Sequence, residues 1–228
     1  MKHALVSISA FLAVAQFAGA QVLATWTFES NTPADLSNSP TLSGIAADLG
    51  AGTASGFHSS AATDWTTPAG NGSANALSSN TWSAGDYYQF SVSTLGYSGI
   101  SVSWDQTGSN TGPANFALSY SINGTDFTNA YSYSVINGGW SSSSAVPTTS
   151  FAFDFSGVAA LNNQAAVQIR LVDVGALAIN GGTVAAGGTG RVDNFSVAAS
   201  AIPEPSTYAM ICGGLTLGFV ALRRRLRR

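Results

Sequence analysis

Apolar and polar side chains alternate through a succession of short segments, as in strands with one buried face, because successive strand residues point to opposite sides of a sheet. Val22, Ala24, Trp26 and Phe28 open the series. Tyr88-Phe90-Val92 and Ile100-Val102-Trp104 follow, carried as every second residue, with Ser91, Ser93, Ser101, Ser103 and Asp105 on the opposite faces. Phe116, Leu118, Tyr120 and Ile122 lead into Asn123-Gly124, a pair that tolerates positive φ and predicts a two-residue hairpin turn. Tyr131-Tyr133-Val135, Phe151-Phe153-Phe155, Val167-Ile169-Leu171 and Phe195-Val197 complete the pattern. Between these segments the chain is rich in Gly, Asn and Ser. Eight or nine such strands predict an all-β fold, a two-sheet antiparallel sandwich of jelly-roll type. One short helical turn is predicted within 158–166. Long loops are predicted at 31–85 and 176–190, and 198–202 reads as a linker.

Both ends of the chain break the pattern. Met1 to Ala20 has a short basic start at Lys2 and His3, an apolar run, and the small-residue ending Ala18-Gly19-Ala20. That is the layout of a secretory signal peptide cut after Ala20, leaving a sandwich domain over 21–197. At the other end Pro203-Glu204-Pro205 cannot sit inside a helix. Behind it, Ser206 to Leu222 runs 17 residues without a charge, and Arg223, Arg224, Arg225, Arg227 and Arg228 close the chain. As a helix the uncharged run would reach about 25 Å at ~1.5 Å per residue, close to the ~30 Å of a bilayer's hydrocarbon core. The pattern predicts a short C-terminal transmembrane helix with its arginines on the cytoplasmic side.

In this order the three parts of the tail, over 203–228, resemble the C-terminal sorting signal of the PEP-CTERM proteins of Gram-negative bacteria. The wording Pro203-Glu204-Pro205-Ser206-Thr207-Tyr208-Ala209-Met210 is similar to many such tails. The resemblance implies Sec-dependent export, a transient membrane anchor, and cleavage near Pro203 to Pro205 by the membrane protease exosortase. It also implies association with extracellular polysaccharide and the matrix of biofilm-forming cells. An ordinary anchor that is never cut is the alternative.

Charge sharpens the picture. Between 21 and 202 ten acids face only Arg170 and Arg191, which leaves eight net negative charges. A basic nucleic-acid footprint is therefore absent. The single cysteine, Cys212, lies in the tail, so the domain has no disulfide. Glu29 is the one glutamate of the domain, whereas glycosidases of this architecture need paired carboxylates. His58, the one histidine after the signal segment, has no nucleophile motif beside it and reads as a solvated loop residue. The expectation is a non-catalytic protein, with a divergent hydrolase built on His58 as an alternative.

Two binding chemistries remain. Asp193 shares its strand face with Phe195 and Val197, and a buried carboxylate needs a cation or several hydrogen bonds. Glu29, which follows the first strand, could share a structural calcium with it, since calcium takes oxygen ligands. A salt bridge from Asp193 to Arg191 or Arg170, or a turn cap, is the alternative. Phe28-Glu29, Asp64-Trp65 and Val192-Asp193-Asn194-Phe195 resemble corresponding positions of MAM-like and carbohydrate-binding sandwich domains. Trp65, Trp82 and Trp140 lie in Ser- or Gly-rich surroundings and are candidates for stacking on sugar rings, whereas Trp26 and Trp104 read as core. A structural or adhesive coat protein with no sugar site is the competing view.

Overall fold

The computed structural model describes residues 19–203 together with 213, 216–220, 223 and 224. Its strands are β1 (Gln21–Trp26), β2 (Thr41–Ala46), β3 (Leu49–Gly50), β4 (Gly52–Phe57), β5 (Trp65–Thr66), β6 (Leu77–Ser79), β7 (Tyr87–Val92), β8 (Tyr97–Gly108), β9 (Asn115–Ser121), β10 (Thr128–Ser134), β11 (Ser150–Asp154), β12 (Val167–Asp173) and β13 (Gly190–Ala201). The first sheet runs β11-β8-β13-β1-β3, with β6 also on β13 and β5 on β6. The second runs β10-β9-β12-β7-β4-β2. The antiparallel two-sheet sandwich read from the alternation is the fold observed.

The inward rows meet in an aromatic core. Phe90 of β7 stacks on Phe195 of β13 with ring centroids 3.6 Å apart and planes 1° from parallel. Trp26 of β1 stands edge-on to both rings, at 5.2 and 6.0 Å. Its indole N–H donates to Ile45 O at 3.2 Å, so even the polar atom of this buried side chain is satisfied.

The segment 31–85 is not a loop: it carries β2 to β6. The strands escaped notice because their inward positions are small. In β4 these are Gly52, Ala54 and Gly56. A Cβ at Gly56 would run into the Trp65 ring, and one at Gly52 into Trp26. Large side chains from other strands fill the space over β4, so its own sequence shows no apolar alternation.

The expected linker at 198–202 is likewise absent. β13 runs on to Ala201, pairing Ser200 with Ser98 and Ala201 with Tyr97, and Ile202 N–H still donates to Gly96 O at 2.8 Å. Ala199 continues the inward row, fully buried like Val197. The Asn123-Gly124 hairpin exists, but its connection runs from Ile122 to Phe127. Asn123 Oδ1 accepts the N–H groups of Thr125 and Asp126, and positive φ falls on Gly124 alone. The short helical turn is a 3-10 element at Ala159–Leu161.

Of the tail, residues 213, 216–220, 223 and 224 are helical and exposed. No helix among the described residues is long and apolar enough to cross a membrane. The signal segment through Ala18, and Glu204, Pro205, Cys212, Arg225, Arg227 and Arg228, lie outside the described residues.

Because Phe195 touches rings from both sheets, Phe195→Ala should lower the unfolding free energy by about 3–5 kcal/mol. The check is a urea titration in which the midpoint falls while the slope is unchanged.

Candidate functional site

β4 delivers His58 into the interior, which corrects the solvated-loop reading. The residue is fully buried, held by its N–H to Pro40 O at 2.8 Å, with Trp65 and Trp82 edge-on to the imidazole at 4.9 and 4.4 Å. Nε2 lies 3.0 Å from Ser79 Oγ, itself 3.0 Å from the Tyr88 hydroxyl, which donates to Gly190 O at 2.8 Å. Nδ1 approaches Asp86 Oδ2 to 3.3 Å but off the line of a hydrogen bond. Asp86 is held instead by the N–H groups of Ser59 and Ser83, each at 2.7 Å.

Carboxylate, imidazole and hydroxyl thus stand in the order of a hydrolytic triad. Yet none of Asp86, His58 and Ser79 is more than 1% exposed, so a substrate has no approach. Burial pushes the imidazole down to about 4, against the opposing pull of Asp86, and so weak a base takes few protons at neutral pH. Next to this row, Asp173 N–H donates to Asp86 O at 2.9 Å, and Asp173 Oδ2 is buried without a partner. Burial pushes the Asp173 carboxyl up to about 6, the Gly175 N–H opposing and the nearby Asp86 adding to the rise.

Asp193 is also fully buried, but not on the face of Phe195 and Val197 as the alternation predicted: the bulge at Asn194 leaves it in register with Asp105 under the segment 71–75, where it is met by donors. Asn71 N–H, Ser73 Oγ–H and Asn194 N–H reach it at 2.9, 2.7 and 2.7 Å. Burial nevertheless lifts it to about 6; the donors only partly offset that, and Asp105, its in-register neighbour on β8, adds a smaller push upward. Glu29 Oε1 accepts Asn75 N–H at 2.7 Å. Glu29 and Asp193 therefore hold opposite ends of the same segment, 71–75, and backbone and serine donors occupy the role considered for calcium. Among the described residues no group of three or more His, Cys, Asp or Glu is placed to hold a metal ion. The alternative salt bridge is not formed either, since the Arg191 guanidinium reaches Ala69 O at 3.5 Å. Asp48, which the pattern did not single out, accepts four N–H groups, from Thr27, Phe28, Ser30 and Asn31. Those bonds hold the bend that places Glu29, with Phe28 at φ 58°.

The three candidate stacking indoles are all buried, at 0, 4 and 7% exposure for Trp65, Trp82 and Trp140. Each N–H is tied inward, to Ser39 O, Ser79 O and Thr149 Oγ1, all at 2.9 Å. They close the margins of the core and offer no open ring face. Trp140 borders a small cleft of about 210 Å³ shared with Thr107, Asn137 and Arg191.

An exposed ring lies elsewhere, on the outer face of the second sheet. Phe57, 40% exposed at the end of β4, stacks on Tyr87 of β7 at 5.6 Å. Arg170 of β12 lays its guanidinium over Tyr87 at 3.8 Å and over Phe127 at 3.6 Å. Its Nε–H donates to Gln89 Oε1 at 2.8 Å, and no carboxylate among the described residues pairs with it. Register places Ser55, Gln89, Arg170 and Ser119 side by side across four strands. The result is a row of rings and one cation bordered by short polar side chains. Its signal in the sequence was the outward phase: Tyr87 beside the Tyr88-Phe90-Val92 row, and Arg170 between Ile169 and Leu171.

Residues 201–225 match the family model of the PEP-CTERM protein-sorting motif. No curated protein matches the chain in sequence. Among solved structures, the chain is similar to the CBM22-1 xylan-binding domain of Paenibacillus barcinonensis Xyn10C, at 10% identity and TM-score 0.44, over 83% of this chain and 100% of that one. A cleaved adhesin domain of Lys-gingipain from Porphyromonas gingivalis is similar at 14% identity and TM-score 0.41, over 78% and 99% of the two chains. CBM35 from Cellvibrio japonicus Abf62 is similar at 15% identity and TM-score 0.36, over 62% and 90%. The motif marks the chain as an exported protein.

The buried groups set a pH dependence. Asp173 and Asp193 keep their protons up to about pH 6 in the fold, against 3.8 for a free carboxyl, so each adds stability as pH falls from 6 towards 4. His58 opposes them, because the unfolded imidazole takes a proton near 6.5 and the folded one only near 4. With two groups against one, the domain should be more stable at pH 5 than at pH 7. Asp173→Asn should raise stability at pH 7 by roughly 1–3 kcal/mol and turn that slope down. Urea midpoints at the two pH values read both effects.

Proposed function

We propose that the chain is an exosortase substrate, carried to the cell surface by its tail, that holds extracellular polysaccharide without catalysis. Its first 20 residues direct Sec export, and Ser206 to Leu222 form a short transmembrane helix stopped by the terminal arginines until cleavage near Pro203 to Pro205. The motif match supports the sorting. The anchor is supported by Leu217, Phe219 and Val220, which are helical and 74, 66 and 48% exposed, apolar surface suited to a bilayer.

The observation that carries the polysaccharide reading is the row Phe57, Tyr87, Arg170 and Phe127 on the second sheet. The exposed Phe57 ring offers a flat apolar face to a sugar, and the guanidinium, with its Nε–H held by Gln89, has further N–H donors for hydroxyls. The absence of catalysis is supported by the sealing of His58, Ser79 and Asp86 inside the core. A purely adhesive coat role is favoured by a different feature. Tyr131, 39% exposed, stacks on Phe153 at 5.5 Å along the rim between the edge strands β10 and β11.

Phe57→Ala and Arg170→Ala should each weaken retention on polysaccharide from producing cells about tenfold, a loss of ~1.4 kcal/mol, in a pull-down with the mature protein. Wild-type retention by both variants would leave the adhesive role. Mass determination of the protein from cells and medium should find both the first 20 residues and the arginine end removed.

A further inference from the structure

One end of the sandwich gathers the start of β1, the close of β13 and the connections 93–96 and 122–127. Gln21 pairs with Ala199 and Tyr97 with Ala201, so both termini of the domain leave from this end. β13 stays paired to its last residue, and the bond from Ile202 N–H to Gly96 O lies one residue before Pro203. Between Ile202 and the uncharged run that begins at Ser206 stand only Pro203, Glu204 and Pro205. Fully extended, that path covers at most about 14 Å, and proline's fixed φ removes much of its freedom. The leash is too short to let the domain stand away from whatever holds the tail.

The same end presents apolar tips. Leu95, Ile122 and Ile202 are 56, 46 and 41% exposed. No Lys or Arg lies in 93–96, 122–127 or 199–203. Asp126 and Asp154 lie beside the tips, hydrogen-bonded to Asn123 and Ser156, and Glu204 follows two residues after Ile202 in the sequence. Such a surface suits an uncharged interface and not an anionic one.

We propose that this end is a membrane-contact surface. While the tail is in the bilayer, Leu95, Ile122 and Ile202 rest in the interface of a zwitterionic lipid surface and the sandwich stands on that end. The strands then rise away from the lipid, and the outer face of the second sheet with Phe57, Tyr87 and Arg170 stays open at the side. This rests on the reading of the tail as a membrane anchor.

The test uses the full chain in phosphatidylcholine vesicles. Cys212 is replaced by Ser, and an environment-sensitive fluorophore is placed by Leu95→Cys, by Ile122→Cys, or by Leu177→Cys on a distant connection as control. Ile122→Cys repeats the reading should Leu95→Cys fail to fold. The expected result is co-flotation with vesicles, a blue-shifted label severalfold less quenched by iodide at positions 95 and 122, and a fully quenched label at 177. Flotation with quenchable labels at 95 and 122 overturns the contact and leaves the anchor standing. Protection at all three sites overturns the end-on posture. Failure to float removes the anchor and the contact with it.

Discussion

The stack of Phe90 on Phe195 is the contact on which the sandwich depends, because it joins the middle of one sheet to the middle of the other. Phe195 also places β13, and β13 does more than contribute a ring. It pairs with β8, β1 and β6, and it carries Asp193, buried beneath the segment 71–75. The register slips between Asp193 and Ser196, with Asn194 at φ 50°, and this bulge shifts the strand's phase, so that Asp193 stands beside Asp105 under the segment 71–75 while Phe195 points into the core. Asp193 in turn holds Asn71 and Ser73, fixing the connection that leads into β6. Core, ordered loop and exit of the tail are thus consequences of one strand's placement.

What the sequence revealed depended on where the bulk of each core contact resides. Strands that supply their own large side chains, such as Phe116-Leu118-Tyr120 or Val167-Ile169-Leu171, announced themselves by alternation. β4 did not, because its inward positions are glycine and alanine beneath the indoles of Trp26 and Trp65. The same displacement misplaced the tryptophans. A Ser- and Gly-rich neighbourhood around Trp65 looked like a loop, whereas glycine was there to receive the ring. His58 followed them inward for the same reason, since the strand that carries it has no apolar signature.

The row of Asp86, His58 and Ser79 shows why the geometry of a triad is not sufficient for its chemistry. The distances alone would serve proton transfer between imidazole and hydroxyl. Enclosure by Trp65 and Trp82 denies both the substrate and the basicity, since the burial that excludes one also depresses the other. Inside the core these groups satisfy one another. Ser79 bridges His58 to Tyr88, and Tyr88 reaches across to Gly190 on β13. The network thereby ties the two sheets near the end opposite the tail.

Charge narrows what the exposed row can hold. Arg170 is one of two cations in a domain with eight net negative charges, so at distances beyond the Debye length, about 8 Å at physiological salt, a polyanion meets net repulsion. Close in, the guanidinium is fixed between Tyr87 and Phe127, with Gln89 holding its Nε–H and no carboxylate neutralising it. A neutral polymer escapes the long-range repulsion and still meets the exposed Phe57 ring and the guanidinium's remaining N–H donors. On the proposed reading, Arg170 therefore acts as a directed hydrogen-bond donor to hydroxyls, and its charge matters mainly for keeping the group oriented over the two rings.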